Sequence, residues 1–203
     1  MKWETDVPLI AILRGIKPDE VLEHVEILLE AGFTAIEIPT NSPDWQLSIA
    51  RVVSQYGNKG LFGAGTVLYP EQVDELARLG GQLVVTPNTR SQVIRKGRER
   101  GMIVCAGCAT ATEAFTALEN GAQILKIFPS SSFGPDYIKA LKAVLPADIP
   151  IMAVGGVTAD NLSSWIRAGC TGAGLGGDLY RAGQSVEYTQ VQAQAFIQAW
   201  HNT

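Results

Sequence analysis

Histidine and cysteine are scarce in this chain, and their scarcity limits the metal and redox sites that it can form. The 203 residues include two histidines and three cysteines, which are His24, His201, Cys105, Cys108 and Cys170. A structural zinc site needs four such ligands at short spacings, and a disulfide framework needs paired cysteines. Cys105 and Cys108 fit a C-x-x-C motif, but no second ligand pair accompanies them. The sequence therefore predicts no metal site and no redox role for the cysteines.

Basic charge and long apolar runs are also lacking. The 16 lysines and arginines are outnumbered by 20 aspartates and glutamates, which gives a formal net charge of −4 and no basic surface for nucleic acid. No apolar run approaches the length of a transmembrane helix, and the N-terminal MKWETDVP lacks the apolar core of a signal peptide. We therefore expect a cytoplasmic protein without nucleic-acid or membrane partners.

Glycine and proline, in contrast, recur at regular places. A polar, helix-like stretch ends in a glycine and a short apolar strand follows at Gly32, Gly80, Gly101, Gly121 and Gly169, with Gly57 as a looser sixth case. Glycine suits a helix C-terminus because it adopts the left-handed conformation without a Cβ penalty. The helical stretches begin with proline, serine, threonine or aspartate, which fit the first turn or cap its free amides. The pattern indicates strands that alternate with helices.

Eight short apolar strands can be counted along the chain, at 9–13, 35–38, 61–65, 82–86, 103–107, 124–128, 151–155 and 172–176. Alternation of strands with helices requires a parallel sheet. Eight similar units without a Pro- or Ser-rich linker favour a closed (β/α)8 TIM barrel, with residues 1–203 as a single domain, over an open doubly wound sheet.

Two helices show an apolar face at helical spacing. The first helix places Val21, Val25, Leu28 and Leu29 on one side. The last helix is predicted to bury the set Val191, Ala195, Phe196 and Ala199.

Lys126 stands out because it lies in the middle of the apolar sixth strand, ILKIF. Strand alternation places it on the same face as Ile124 and Phe128. Burial opposes the charge of an ammonium group, lowers its pKa and frees the amine to attack carbonyls. Lys126 could instead lie on an edge strand or extend to the surface.

In a barrel the C-terminal ends of the strands form the active site. Few titratable residues occur at these ends. They are Glu37 in the second strand, Lys126 in the sixth strand and Arg14, which follows the first strand. Thr66 follows the third strand at the same end. Glu37 suits an acid or base, and a structural salt bridge to Arg14 or Lys126 is the alternative.

Two glycine-rich segments, VGGVTADN and GAGLGGDLY, follow strands seven and eight. Gly155, Gly156, Gly176 and Gly177 lie in them, and the second segment reads as a strand that leads directly into a helix start. Amides of glycine turns and helix N-termini bind phosphate, and in barrels this site follows strands seven and eight. The G-x-G-x-x-G spacing that begins at Gly172 is discounted as a dinucleotide motif because no acidic residue follows at the required distance. We therefore expect a phosphorylated ligand and no cofactor.

The motifs IEIPTNSP, GAGTVL, LKIFPSSSFGP, AVGGVT and GLGGDLY, taken in order, resemble the class I 2-keto-3-deoxy-6-phosphogluconate/galactonate aldolase family, with closer similarity to its galactonate branch. The resemblance extends almost end to end. It implies a homotrimeric barrel that cleaves a phosphorylated 2-keto-3-deoxy sugar acid to pyruvate and glyceraldehyde 3-phosphate.

The resemblance also implies residue roles. Lys126 forms the Schiff base, Glu37 transfers protons, and Arg14 with Thr66 holds the pyruvate end. The phosphate of the substrate is bound by Gly155, Gly156, Gly176 and Gly177.

Three positions help to distinguish the galactonate branch from the gluconate branch. Asn41 stands where the gluconate branch usually has an arginine, and Gly177 stands where related chains commonly have serine. Val154 stands where the gluconate branch typically has threonine, so a hydroxyl contact to the substrate is absent. The alternatives are the gluconate aldolase, a phosphosugar isomerase or epimerase that uses Glu37 as a base, and a non-catalytic phosphosugar-binding barrel.

Overall fold

Eight parallel β-strands close into a barrel in the computed structural model of this chain, which describes residues 4–203. Each strand pairs with the one before it, and the eighth pairs with the first. The strands are β1 (Leu9–Ile12), β2 (Ala35–Pro39), β3 (Leu61–Gly65), β4 (Leu83–Val85), β5 (Ile103–Cys108), β6 (Ile124–Ile127), β7 (Ile151–Val154) and β8 (Gly172–Leu175). The predicted (β/α)8 fold is confirmed, and every strand lies within one residue of its predicted bounds.

Helices on the outside of the barrel connect these strands. They are α1 (Val21–Ala31), α2 (Trp45–Tyr56), α3 (Pro70–Arg78), α4 (Ser91–Glu99), α5 (Ala111–Glu119), α6 (Ser130–Phe133), α7 (Pro135–Lys142), α8 (Leu162–Arg167) and α9 (Val186–His201). The short α6 was not predicted from the sequence. The prediction of a single domain over 1–203 stays a prediction, and its residues 1–3, like the start of the MKWETDVP segment, lie outside the described part of the chain.

Glycine ends five of the helices as the sequence predicted. The φ angles are positive at Gly32 (113°), Gly80 (81°), Gly101 (74°), Gly121 (95°) and Gly169 (108°). These left-handed residues turn the chain from each helix into the next strand. The sixth glycine differs from the other five, because Gly57 has a φ of −56° and its N–H still donates to the carbonyl of Val53. It continues the last helical turn instead of reversing it.

Alternate residues of the strands face two separate hydrophobic clusters. One cluster contains strand residues alone and fills the barrel interior, and its members are Ile10, Ile12, Ala35, Leu61, Leu83, Val85, Ile103, Cys105, Ile124, Met152 and Val154. The other cluster joins the outer face of the strands to the helices, and includes Leu125 and Ile127 of β6. Because side chains alternate along a strand, Lys126 belongs to the inner face with Ile124.

One prediction about the C-terminal region was wrong, and a second was wrong for one residue of its set. The segment after β8 is a single turn rather than a helix start, because the amides of Leu179 and Tyr180 both donate to the carbonyl of Gly176 and the chain then runs on to α9. In α9, Phe196 is buried as predicted and Ala199 packs against the core, but Val191 is 59% exposed and Ala193 is buried instead. The direction in which α9 packs on α1 selects this face, and the pattern of apolar residues alone did not reveal it.

None of the helices formed by residues 4–203 is both long and apolar enough to cross a bilayer.

Candidate active site

Lys126 lies on the inner face of β6 near the C-terminal end of the barrel. It is only 4% exposed, and its Nζ lies 4.9 Å from the centroid of the Phe128 ring. β6 pairs with both β5 and β7, and a closed barrel has no edge strand. The edge-strand and surface alternatives for Lys126 are therefore wrong. Burial lowers the pKa of Lys126, as does the nearby charge of Arg14, while Glu37 acts in the opposite direction.

Glu37 is the second buried ionisable group at this end. It lies on β2 and is 1% exposed. Its carboxyl group occupies the space left by a missing side chain on β3, because a Cβ added to Gly65 would lie 1.4 Å from Glu37 Oε2. Burial raises the pKa of Glu37 to about 7, against the lowering influence of Lys126 and Arg14. The carboxyl group is thus held close to half-protonated at neutral pH.

The structural alternative for Glu37 was a salt bridge to Arg14 or Lys126. Among residues 4–203, no salt bridge within 4.0 Å includes Glu37. Its Oε2 is also buried and has no hydrogen-bond partner in that part of the chain. Because buried polar atoms are nearly always paired, the unpaired carboxyl oxygen indicates that Glu37 is a functional group and not part of a structural ion pair.

Arg14 follows β1, the strand next to that of Glu37, and is held by its neighbours. Its Nη1 donates to Asn41 Oδ1 at 2.6 Å, and Nη1 and Nη2 both lie 3.3 Å from Thr66 Oγ1. Thr66 has a φ of 54°, which is rare for a β-branched residue, and the hydroxyl of Thr40 donates to its carbonyl at 2.7 Å. Strained residues of this kind cluster at functional sites because the surroundings must hold them in place.

The glycine turns after β7 and β8 form one wall of a cavity at this end. Its volume is about 300 Å³, and it is lined by Ile12, Arg14, Lys126, Phe128, Val154, Gly155, Gly156, Val157, Gly174, Gly176, Gly177 and Asp178. The amides of Gly156, Gly177 and Asp178 donate to no acceptor within residues 4–203. These free amides are available to an anionic group in the cavity.

A larger cavity of about 380 Å³ lies at the other end of the barrel. It is lined by residues at the starts of the strands, which include Pro8, Ile103, Ile124, Pro150 and Thr171. The N-terminal face of a barrel serves stability, whereas reactive groups collect at the C-terminal face. We therefore assign the active site to the smaller cavity, because it alone of the two contains Lys126 and Arg14.

Comparison with known proteins agrees with this geometry. The family model described as "Aldolase: KDPG and KHG aldolase" matches residues 2–194. The chain belongs to this aldolase family. It is 68% identical to the 2-dehydro-3-deoxy-6-phosphogalactonate aldolase of Escherichia coli K12, over 98% of each chain. The family resemblance seen in the sequence motifs is confirmed.

Two solved structures support the family assignment. A structure described as native KDPGal has a TM-score of 0.98 and 68% identity, and the match covers 100% of this chain and 98% of that one. A designed porous cage, described as made by fusing symmetric oligomeric domains, contains a chain with a TM-score of 0.97 and 68% identity. That match covers 98% of this chain and 73% of the cage chain.

All nine residues predicted for this family's site lie at the mouth or immediately beneath it. The cavity is lined by the set Arg14, Lys126, Val154, Gly155, Gly156, Gly176 and Gly177. Glu37 is buried beside them, since the charges of Lys126 and Arg14 both act on it, and Thr66 contacts Arg14. Sequence reasoning missed the roles of Asn41 as a hydrogen-bond partner and Gly65 as the source of space. No local signal marks either role, because both depend on contacts between neighbouring strands.

The cysteines of this aldolase are unreactive thiols, although Cys105 lies close enough to Lys126 and Glu37 for their charges to act on it. Cys105 faces the barrel interior and Cys108 the outer cluster, and all three cysteines are free and buried. Burial raises the pKa of Cys105 and of Cys108 to about 12, so the thiols stay protonated at neutral pH. Over residues 4–203, no group of three histidine, cysteine, aspartate or glutamate side chains is arranged to hold a metal ion.

The raised pKa of Glu37 predicts a pH-dependent stability. A carboxyl group whose folded-state pKa is raised from 4.5 to about 7 stabilises the fold fully below pH 4.5, and this contribution is lost as pH rises through 7. Glu37→Gln removes the ionisation. We expect its free energy of unfolding to exceed that of the wild type by up to about 3 kcal/mol at pH 8, and by little at pH 4.5, since one pKa unit corresponds to about 1.36 kcal/mol.

Denaturant unfolding at both pH values measures this difference. Glu119→Gln on α5 is the matched control, because its side chain is exposed. A Glu37→Gln difference that stays constant between pH 4.5 and pH 8 contradicts the prediction.

Proposed function

We propose that this protein is a Schiff-base aldolase that cleaves 2-dehydro-3-deoxy-6-phosphogalactonate to pyruvate and glyceraldehyde 3-phosphate. The observation that carries the proposal is a buried amine, Lys126, which shares the C-terminal mouth with a buried carboxyl group, Glu37. The galactonate substrate is favoured by 68% identity to an aldolase named for it. A phosphosugar isomerase or a binding protein has no chemical need to bury a lysine at this place.

Lys126 is the nucleophile in this proposal. Its lowered pKa increases the fraction of free amine, which attacks the C2 ketone of the substrate. A proton moves from the nitrogen to the C2 oxygen, and the protonated carboxyl group of Glu37 donates a second one. The oxygen then leaves as water, and a protonated imine and the Glu37 carboxylate remain. The electron pair of the C3–C4 bond then flows into the imine as that bond breaks. The products are glyceraldehyde 3-phosphate and an enamine. Glu37 returns to C3 of the enamine the proton that it takes from the C4 hydroxyl. Water then hydrolyses the protonated imine to pyruvate and free Lys126, and the released proton restores the carboxyl group of Glu37.

Glu37 is the proton-transfer group. As the carboxylate it accepts the proton of the C4 hydroxyl when the C3–C4 bond breaks. A general acid or base works best when its pKa lies near the working pH, and Glu37 has a pKa raised to about 7. The Glu37→Gln variant keeps the shape and removes the basicity, so we expect its cleavage rate to fall by about 10²–10⁴-fold.

Arg14 and Thr66 are proposed to hold the carboxylate of the pyruvate end. The guanidinium group of Arg14 lines the cavity near Lys126 and is oriented by Asn41 and Thr66. A planar guanidinium suits bidentate recognition of a carboxylate. Asn41 supplies an acceptor that fixes Arg14. An arginine at position 41 would instead compete with Arg14 for the carboxylate of the substrate.

The phosphate is assigned to the glycine turns after β7 and β8, at Gly155, Gly156, Gly176 and Gly177. Free amides on both turns support this assignment, because they can donate to phosphate oxygens without any side chain. Gly177 provides no hydroxyl, so the amides carry the contact alone.

Assembly and location remain proposals. We propose a homotrimer from the family resemblance, and the use of a 68% identical relative among symmetric oligomeric domains supports an oligomer in general. A cytoplasmic location stays a prediction from composition.

Reductive trapping tests the nucleophile. In the presence of pyruvate and borohydride, the wild-type protein is expected to gain the mass of one reduced pyruvate on Lys126, because only an imine is reduced to a stable amine. Lys126→Ala should gain nothing and lose aldol cleavage. Intact-protein mass spectrometry with peptide mapping measures both.

Lys139→Ala on α7 is the matched control for trapping, since Lys139 is an exposed lysine that pairs with Asp136. It should trap pyruvate as the wild type does. An adduct mapped to another lysine, or cleavage retained by Lys126→Ala, would overturn the assignment.

A size series at Gly176 tests the phosphate wall. A Cβ added there meets nothing within 4 Å, whereas one at Gly156 would lie 2.6 Å from Ser131 Cβ at a positive φ of 73°. Gly176 is therefore the cleaner probe. We expect Gly176→Ala and then Gly176→Leu to raise KM progressively for the phosphorylated substrate and much less for its dephospho analogue. Steady-state kinetics on both compounds decides the matter, and equal increases would indicate general damage to the barrel mouth.

Val154 is proposed to contribute to the choice between epimers. The galactonate and gluconate substrates differ at C4, and a hydrogen-bonding residue there can favour one of them. Val154 lines the cavity, is 6% exposed and cannot form such a bond. We expect the galactonate epimer to be the better substrate and Val154→Thr to shift the ratio of kcat/KM severalfold toward gluconate, since one net hydrogen bond contributes roughly 0.5–1.5 kcal/mol.

Val157→Thr provides the control for this shift, because Val157 lines the same cavity beyond the glycine turn. Its epimer ratio should equal that of the wild type. If Val154→Thr also leaves the ratio unchanged, Val154 has no part in the choice of epimer. A wild-type preference for the gluconate epimer would contradict the assignment to the galactonate branch.

A further inference from the structure

An arginine that lies outside the active-site cavity forms a hydrogen bond to the loop that follows β8. Arg181 Nε donates to the carbonyl oxygen of Gly177 at 2.7 Å. Arg181 does not line the active-site cavity but a second one of about 350 Å³, whose lining is Gly177, Asp178, Arg181, Gln184, Tyr188 and Gln192. Gly177 and Asp178 line both cavities, so these two residues form the wall between them.

The geometry of the peptide group relates the two sides of this wall. The bond between Gly177 and Asp178 is trans, and in a trans peptide the C=O and the following N–H point in opposite directions. Because the carbonyl of Gly177 is turned toward Arg181, which lines only the second cavity, the N–H of Asp178 points away from that arginine. That N–H donates to no acceptor among residues 4–203.

The charge of Arg181 also affects the binding of an anion at the glycine turn after β8. Asp178 lines both cavities, and a carboxylate beside the glycine turn disfavours a phosphate bound there. Within the described residues no salt bridge ties Asp178 or Arg181 to a partner. The guanidinium charge at the carbonyl of Gly177 therefore offsets the carboxylate for an anion at the neighbouring amides.

Arg181 is itself fixed to the body of the barrel. Its backbone N–H donates to Gln184 Oε1 at 3.0 Å, and Gln184 Nε2 lies 2.9 Å from the carbonyl of Leu179 and 2.6 Å from Thr189 Oγ1. Thr189 is buried on α9 and contacts Nδ1 of His24 on α1 at 3.0 Å. This chain of hydrogen bonds gives the turn a rigid support.

We propose that Arg181 is a positioning residue for the phosphate of the substrate. It acts through the Gly177–Asp178 peptide, whose N–H it directs into the cavity, and it compensates the charge of Asp178. This role replaces part of what a serine side chain at position 177 would supply. The inference rests on the proposed function, since it requires a phosphate at the glycine turns.

Inorganic phosphate is the probe for this role, used as a competitive inhibitor of aldol cleavage. In Arg181→Met we expect its inhibition constant and the KM of the phosphorylated substrate to rise by about tenfold, as for loss of one charge-assisted hydrogen bond, with kcat changed much less. Arg181→Lys retains a positive charge and a donor, and should recover most of the affinity. Borohydride trapping with pyruvate needs no phosphate and should proceed as in the wild type.

Arg167→Met is the matched control, because Arg167 is an exposed arginine at the end of α8. It should leave the inhibition constant of phosphate unchanged. An unchanged constant in Arg181→Met overturns the proposal, as does a loss of trapping in that variant, which would show a structural role for the whole mouth. If Arg181→Met does not fold, Arg181→Gln carries the same comparison. Failure of the wild type itself to trap pyruvate would instead count against the proposed function.

Discussion

The burial of an amine and a carboxylic acid in one barrel mouth, without a salt bridge to Glu37 anywhere in residues 4–203, is the constraint on which the site depends. Burial disfavours the charged form of each group, so the pKa of Glu37 is raised to about 7 and that of Lys126 is lowered. The two shifts have the same cause, because burial favours the neutral amine of Lys126 and the neutral carboxyl group of Glu37. The apolar interior that surrounds them therefore determines their reactivity as well as their positions.

Missing side chains create the space for this arrangement. Gly65 leaves the place that the Glu37 carboxyl occupies. Gly174, on the inner side of β8, similarly leaves room for Val154, whose Cγ2 would lie 2.9 Å from an added Cβ. A (β/α)8 barrel interior is normally filled with branched side chains. Here glycines on β3 and β8 open the C-terminal layer, and the cavity follows from their small size.

Polar groups outside the reacting set keep the cavity in shape. Asn41 fixes Arg14 on one wall, and Arg181 fixes the Gly177 peptide on the other. Neither wall depends on a long side chain that moves freely, since the first uses a held guanidinium group and the second uses backbone amides. Binding groups that are already oriented lose little conformational entropy when a substrate binds.

The sequence by itself determined the eight strands, the five left-handed glycine caps and the inner faces of Lys126 and Glu37, because helix capping and strand alternation are local and act over a few residues. Only the tertiary structure decided which contacts form between strand ends. The space at Gly65, the bond from Arg14 to Asn41 and the exposure of Val191 each depend on barrel closure and on how α9 packs against α1. Such contacts join residues far apart in the chain, and no local pattern records them.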